Sequence, residues 1–224
     1  MIRVHIICEG QTEEMFVNEL MKSSFAAQGI DLKPALVGKP GHKGGNFKYD
    51  RLLRDLKSRL LGDRGSYCST FFDFYGLPED FPGKNSLPNN ASIEEKANAV
   101  NRALVHKLND MIGNEAMRRF IPFIQMYEFE ALLFSSPRAF AEGIDRPELE
   151  GRFRQIKDNF DTPEHINDSP QSAPSKRIIE LVRGYEKPIM GSLAAIEIGM
   201  DSIKQECHIF NQWITNLEAL STIN

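Results

Sequence analysis

The sequence predicts an α/β fold: a mostly parallel central sheet of about four strands, with flanking helices and a helical C-terminal extension. Three observations predict it. Short apolar runs alternate with stretches of helical period, the first and third runs end in an acid or carry one near their ends, and from residue 128 onward the pattern is helical only. Residues 1–135 read as the α/β core and 136–224 as an extension packed on it, together one structural domain.

Arg3 to Cys8 (RVHIIC) is apolar and β-branched without alternation, the mark of a central strand buried on both faces, and Glu9-Gly10 ends it. A helix follows at once, with Thr12 as its cap, Glu13 and Glu14 in the first turn, and a stop at Gly29. Leu32 to Val37 is the second strand. A glycine-rich basic loop at 38–48 leads to a helix from about Tyr49 to Leu61, where Leu52, Leu53, Leu56 and Leu60 make one apolar face. Tyr67 to Tyr75 (YCSTFFDFY) is the third strand, followed by a Pro/Gly/Asn-rich loop to Asn90. Ser92 to Glu95 matches a capping box opening a helix that runs to about Ile112. Phe120 to Met126 is the fourth strand, placed at an edge by Pro122, whose missing N–H a central strand would not tolerate. Helical pattern then covers about 128–134, 147–158, 175–184 and 192–220.

The chain has 224 residues, 27 Lys and Arg against 31 Asp and Glu, and 41% hydrophobic residues, so its core needs no metal or disulfide staple. Three widely spaced cysteines, Cys8, Cys68 and Cys207, with no CxxC pair, point to a reducing cytoplasm and to buried thiols. No apolar run reaches the roughly 20 residues of a membrane span, and the N-terminus meets Glu9 too early for a signal peptide. Charge is uneven. Residues 39–64 hold eight Lys/Arg against three Asp, while 128–175 hold five Lys/Arg against ten Asp/Glu. A basic patch beside acidic metal ligands is common in enzymes that act on phosphodiesters, so nucleic acid is the expected partner.

In a parallel sheet with right-handed crossovers, ligands collect at the C-terminal ends of the strands. Glu9 follows the first strand, Asp73 lies near the end of the third, and Glu128 and Glu130 follow the fourth. Carboxylates converging on one rim repel one another unless a cation neutralises them, and oxygen-only ligands suit one or two Mg²⁺ or Mn²⁺ ions. The expected metal ligands are therefore Glu9, Asp73, Glu128 and Glu130, with Glu9, Asp73 and Glu130 as the catalytic set and Glu9 alternatively a general acid or base. Glu13 is a weaker candidate because a first-turn glutamate already serves the helix dipole. Lys43, Gly44 and Gly45, flanked by Lys39 and Lys48, are the phosphate-binding candidates; the run lacks the Gly-Lys-Ser/Thr ending of a P-loop. His5, His42, His106, His165 and His208 fall into no metal-ligand or triad spacing, and Phe210, Trp213 and Leu217 have core spacing.

Cys8 to Glu14 (CEGQTEE), Asp73 to Pro78 (DFYGLP) with Asp80 to Gly83, and Tyr127 to Phe134 (YEFEALLF) together resemble an uncharacterised bacterial family with a Toprim-like fold, and the likeness extends to the Cys207 to Phe210 and Trp213 region. That family is related to the Toprim domains of overcoming-lysogenization-defect nucleases. The resemblance implies a Mg²⁺-dependent nuclease or related phosphodiester enzyme in which Glu9 matches the Toprim glutamate and Asp73 the first aspartate. Tyr75 stands where the second aspartate belongs, so Asp80, Glu128 or Glu130 completes the site, or the site has decayed to a binding role. The resemblance also implies company with an ATPase in phage defence or mobile elements. The alternative reading is accordingly a noncatalytic partner-binding subunit of an ATPase complex with a degenerate metal site. Self-association and the choice between DNA and RNA stay open.

Overall fold

The computed structural model describes residues 1–38, 48–88, 90–167 and 172–222. The phosphate-binding candidates Lys43, Gly44 and Gly45, with Lys39 and His42, lie outside the described residues. In the sheet, β1 (Ile2–Cys8) is central, and its fully buried Ile6, Ile7 and Cys8 explain the unalternating run. After it come α1 (Gln11–Phe16), α2 (Lys22–Ala27), β2 (Ile30–Leu36), α3 (Tyr49–Gly62) and β3 (Ser66–Asp73). β2 and β3 flank β1, both parallel to it. α4 (Ile93–Ile112) and α5 (Asn114–Met117) then lead to β4 (Phe120–Ile121) and β5 (Ile124–Gln125), which both pair in parallel with β3. The strand order is β2-β1-β3-β4, so the mostly parallel sheet and its flanking helices are as the sequence predicts.

Several local expectations change. Gly10, not Thr12, caps α1, and its backbone N–H is taken by Glu13 Oε2 at 2.7 Å; Thr12 is buried inside the first turn. The first helix is not continuous: a π turn at Val17–Met21 separates α1 from α2, inserting a wider turn while Val17 and Met21 stay in the core. β3 stops at Asp73, where a 3-10 turn (Phe74–Gly76) begins, so Tyr75 is not a strand residue. The capping box at Ser92 forms as written: Ser92 Oγ accepts from Glu95 N at 3.2 Å and Ser92 N donates to Glu95 Oε2 at 2.8 Å.

The expected fourth strand is split into β4 and β5 by Pro122. The register on β3 is the same on both sides of the break, because β3 side chains replace the lost ladder. Thr70 Oγ1 donates to Phe123 O at 2.9 Å and accepts from Phe123 N at 3.0 Å, and Ser69 Oγ donates to Ile121 O at 2.6 Å. Thr70→Val keeps the shape but leaves both Phe123 groups buried and unpaired. It should cost about 2 to 4 kcal/mol in urea unfolding, the penalty of one orphaned donor and one orphaned acceptor.

The C-terminal half consists of a buried 3-10 segment (Phe129–Ser135), then α6 (Pro137–Gly143), α7 (Glu150–Lys157), α8 (Pro174–Leu181), α9 (Lys187–Ile198), α10 (Met200–Glu206) and α11 (His208–Glu218). The sequence reading missed α6 and ran 192–220 as one helix. Gly199, at φ 77°, and Cys207 break it, a positive φ being open to glycine at little cost. One apolar cluster joins the halves: Phe16, Phe71 and Phe123 from the sheet side meet Phe129, Phe210 and Trp213. Trp213 stacks on Phe123 with centroids 4.3 Å apart and donates Nε1–H to Ser69 Oγ at 2.8 Å, so it is core, as its spacing predicts. The three thiols are free and buried. No helix among the described residues is long and apolar enough to cross a membrane.

Candidate functional site

The strand topology brings the predicted acids to one rim. Glu9 is the first residue past β1, its N–H bonded to Phe71 O of β3 at 3.1 Å, and its Oε2 accepts from the backbone N–H of Asp73 at 3.0 Å. Asp73 ends β3 and its Oδ1 accepts from Phe129 N at 2.8 Å, which ties the third strand to the segment after the fourth. Between them the chain turns sharply. Tyr127 has φ 66°, a left-handed conformation uncommon for a bulky residue, and its carbonyl accepts from Tyr75 N at 3.1 Å. That turn sets Glu128 and Glu130 beside the rim. Glu128 is the extended residue before the 3-10 segment and Glu130 lies inside it, and both acids bear on the same lysine.

The lysine is Lys187, which the sequence reading did not single out. Its Nζ donates to Glu130 Oε2 at 3.1 Å and lies 3.0 Å from Oε1, which gains charge pairing but no hydrogen bond of good geometry. Glu130 is 0% exposed, whereas 40% of the Lys187 side chain is open to solvent. α9 reaches the rim because Gly191 lets it lie close: a Cβ there would sit 3.1 Å from the Tyr185 hydroxyl and 3.5 Å from Phe129. A lysine in the first turn of a helix opposes the dipole, and that mismatch is the one sequence signal that could have flagged it. Glu128 Oε2 accepts from Ser175 N at 2.8 Å, capping α8, which has no side-chain cap of its own. The Tyr185 hydroxyl is buried and has no hydrogen-bond partner among the described residues.

The electrostatics follow from crowding. Burial pushes the Asp73 carboxyl well above its usual range, and the charges of Glu13, Glu9 and Glu130 push it further, against the pull of Lys187. Glu13 is pushed up to about 7, by burial first and then by Glu9, with the Gly10 N–H pulling the other way. Glu9 and Glu130 are raised mainly by burial; the Asp73 N–H and Lys187 restrain Glu9, and Lys187 restrains Glu130. Burial works against the Lys187 charge, but Glu130, Glu128 and Asp73 together hold its ammonium above the ordinary lysine value. Burial, with Glu130 and Glu128, also pushes the Tyr185 hydroxyl upward.

Asp80 is exposed on the following loop and is not among the charges that shift Glu9 or Asp73. Tyr75 is held elsewhere, its hydroxyl accepting from the Asn167 side-chain amide and its ring 5.5 Å from Tyr127. Among the described residues, no three His, Cys, Asp or Glu side chains stand ready to hold an ion as placed. The donor chemistry nevertheless fits a hard divalent cation: the side chains that would hold it offer only carboxylate oxygens, Glu130 Oε1 is buried without a hydrogen bond, and Lys187 offsets only part of the repulsion in the group. Gly76 forms part of the cradle, since a Cβ there would collide with the Glu9 carboxylate. Gly76→Ala should push that carboxylate off the Asp73 N–H, leaving a partly buried donor unpaired at a cost of about 1 to 3 kcal/mol that denaturant unfolding of the two proteins would read.

A family model, Domain of unknown function (DUF4276), matches residues 8–218. The chain belongs to this family. The DUF4276 match begins at the last residue of β1, includes every rim acid and Lys187, and ends with α11, so it spans both the rim and the C-terminal helices. No curated protein and no solved structure matches the chain.

Proposed function

We propose that this chain is a Mg²⁺- or Mn²⁺-dependent, Toprim-like enzyme that cleaves phosphodiesters in nucleic acid. The observation that carries the reading is the set of carboxylates from three chain segments, Glu9 with Glu13, Asp73, and Glu128 with Glu130, gathered at the C-terminal rim of a parallel sheet, with the proton affinity of Glu9, Asp73 and Glu130 raised. Glu9, Asp73, Glu128 and Glu130 would hold one or two ions. Such an ion polarises a phosphodiester and makes bound water acidic. The chain's own residues orient the site: the Asp73 and Phe129 amides fix the Glu9 and Asp73 carboxylates, and Glu130 aims the Lys187 ammonium at the rim, where it can face phosphate charge. Glu13, with its affinity near neutrality, is able to hold or release a proton beside Glu9.

The test is cleavage of end-labelled DNA and RNA, single-stranded and duplex, by metal-free protein with Mg²⁺ or Mn²⁺ restored. Restoration is expected, with Glu9→Gln slower by about a hundredfold or more.

A second reading has its own observation. Tyr75 stands where the resemblance calls for an aspartate, and Glu9, Asp73 and Glu128 each already accept a backbone amide. Under it the rim is structural and the chain is a noncatalytic subunit, with an ATPase partner in phage defence resting on resemblance alone. Wild-type protein that binds Mn²⁺ yet cleaves none of the four substrates would favour it.

A further inference from the structure

A second site lies away from the carboxylate rim, along the free edge of the sheet. Two adjoining cavities of about 450 and 460 Å³ share Asn98, Asn101 and Pro122 as walls. The first runs between α4 and α11 over Ile121, Pro122 and Phe123; the second continues past α4 towards α5. Their polar lining is mostly carboxamide: Asn98, Asn101 and Asn109 from α4, Asn114 from α5, and Gln212 and Asn216 from α11. β4 and β5 pair only with β3, so among the described residues no strand covers this edge.

Two features of α4 are costly unless the groove is used. Asparagine favours caps and turns over helix interiors, because its amide competes with the helical backbone. Yet three asparagines fall on the one face of α4 that lines the groove, beside the face carrying Val100, Leu104 and Leu108 into the core. Moreover, Asn101 Oδ1 is buried and accepts no hydrogen bond. A buried acceptor without a donor is a lasting penalty, and it is removed when the Asn101 amide turns into the groove to meet an incoming N–H.

We infer that this groove binds an extended peptide segment of a partner protein. Carboxamides offer a donor and an acceptor side by side, the complement of a peptide unit, and they carry no charge. Among the described lining residues Arg102 is the only Lys or Arg, flanked by His106, His208 and Glu94, so the groove lacks the cationic track that a nucleic-acid backbone requires. Pro122 removes a donor from the edge, so the side-chain amides, not a continuous strand ladder, provide most of the hold. From Glu94 to Asn109 the helix advances about 22 Å, which an extended chain spans in about seven residues. The inference does not depend on the chemistry of the carboxylate rim.

A displayed library of random linear peptides of about nine residues is the probe, selected on wild-type protein and on an Asn98→Arg/Asn101→Arg protein whose groove is blocked. Enrichment on the wild type alone is expected. Binding of a capped selected peptide should fall about tenfold in Asn101→Leu and in Gln212→Leu, one hydrogen-bonded amide each. Gln212 is exposed and its amide donates only to Asn216 one turn on at 3.1 Å, so its replacement should change the melting temperature little, and Asn101→Leu should melt no lower than the wild type because it deletes an unpaired buried acceptor. Glu9→Gln should bind the peptide normally. Equal enrichment on the blocked protein, or selected peptides indifferent to both leucine variants, would overturn the inference. So would salt-dependent binding of oligothymidylate that the same variants abolish, which would make the groove a nucleic-acid site.

Discussion

In metal-free buffer at neutral pH, Asp73→Asn should be more stable than the wild type. The substituted carboxamide would keep the Phe129 N–H bond through its carbonyl oxygen while removing the charge that Glu13, Glu9 and Glu130 oppose. Relief of about one pKa unit corresponds to about 1.4 kcal/mol, or roughly 3 to 6 °C in a domain of this size. The pH dependence is the sharper signature. The rim acids Glu9, Glu13, Asp73 and Glu130 are raised, so the folded state holds protons that the unfolded chain has released. Their contribution to stability is therefore full below about pH 4, near the ordinary carboxylate values, and is lost as pH rises through the folded-state values, about 7 for Glu13. Thermal melts in chelated buffer should show the wild type losing stability across this window and Asp73→Asn losing less. Saturating Mg²⁺ should flatten the wild-type slope. A wild type whose rim contribution grows with pH would mean that the acids are already neutralised.

Lys187→Met should be the most damaging single change at the rim. Removing one partner of a buried ion pair usually costs about 3 to 5 kcal/mol, because the other charge stays behind without compensation. Here about 2 to 3 kcal/mol is expected, since 40% of the Lys187 side chain is exposed and Glu130 can take up a proton. Lys187→Met with Glu130→Gln should recover most of that loss, and denaturant unfolding of the four proteins in the cycle would measure the coupling. If Lys187→Met is neutral, the pair contributes nothing to holding α9 at the rim.

The sheet was legible because burial on both faces leaves an apolar run, and β1 and β3 are such runs. Pro122 correctly marked an edge, but not the break it makes, because the Thr70 hydroxyl that bridges the break lies 53 positions before Phe123 in the chain. Glu9 and Asp73 were legible as rim residues because strand ends in a parallel sheet share one side. Lys187 and Tyr185 were not, since α9 reaches the rim by packing against α1, and nothing in a linear sequence fixes that contact. The same limit applies to capping from afar: Glu164 Oε1 and Oε2 accept from Phe210 and Ile209 at the start of α11, where the local sequence supplies no side-chain cap.

Calorimetric titration of Mn²⁺ into metal-free protein at neutral pH tests the central claim most directly. The account predicts a saturable site in the wild type, lost in both Glu9→Gln and Asp73→Asn while both variants remain folded, because each removes an anionic oxygen donor at nearly constant volume. Unchanged affinity in both variants would contradict it and place the ligands elsewhere.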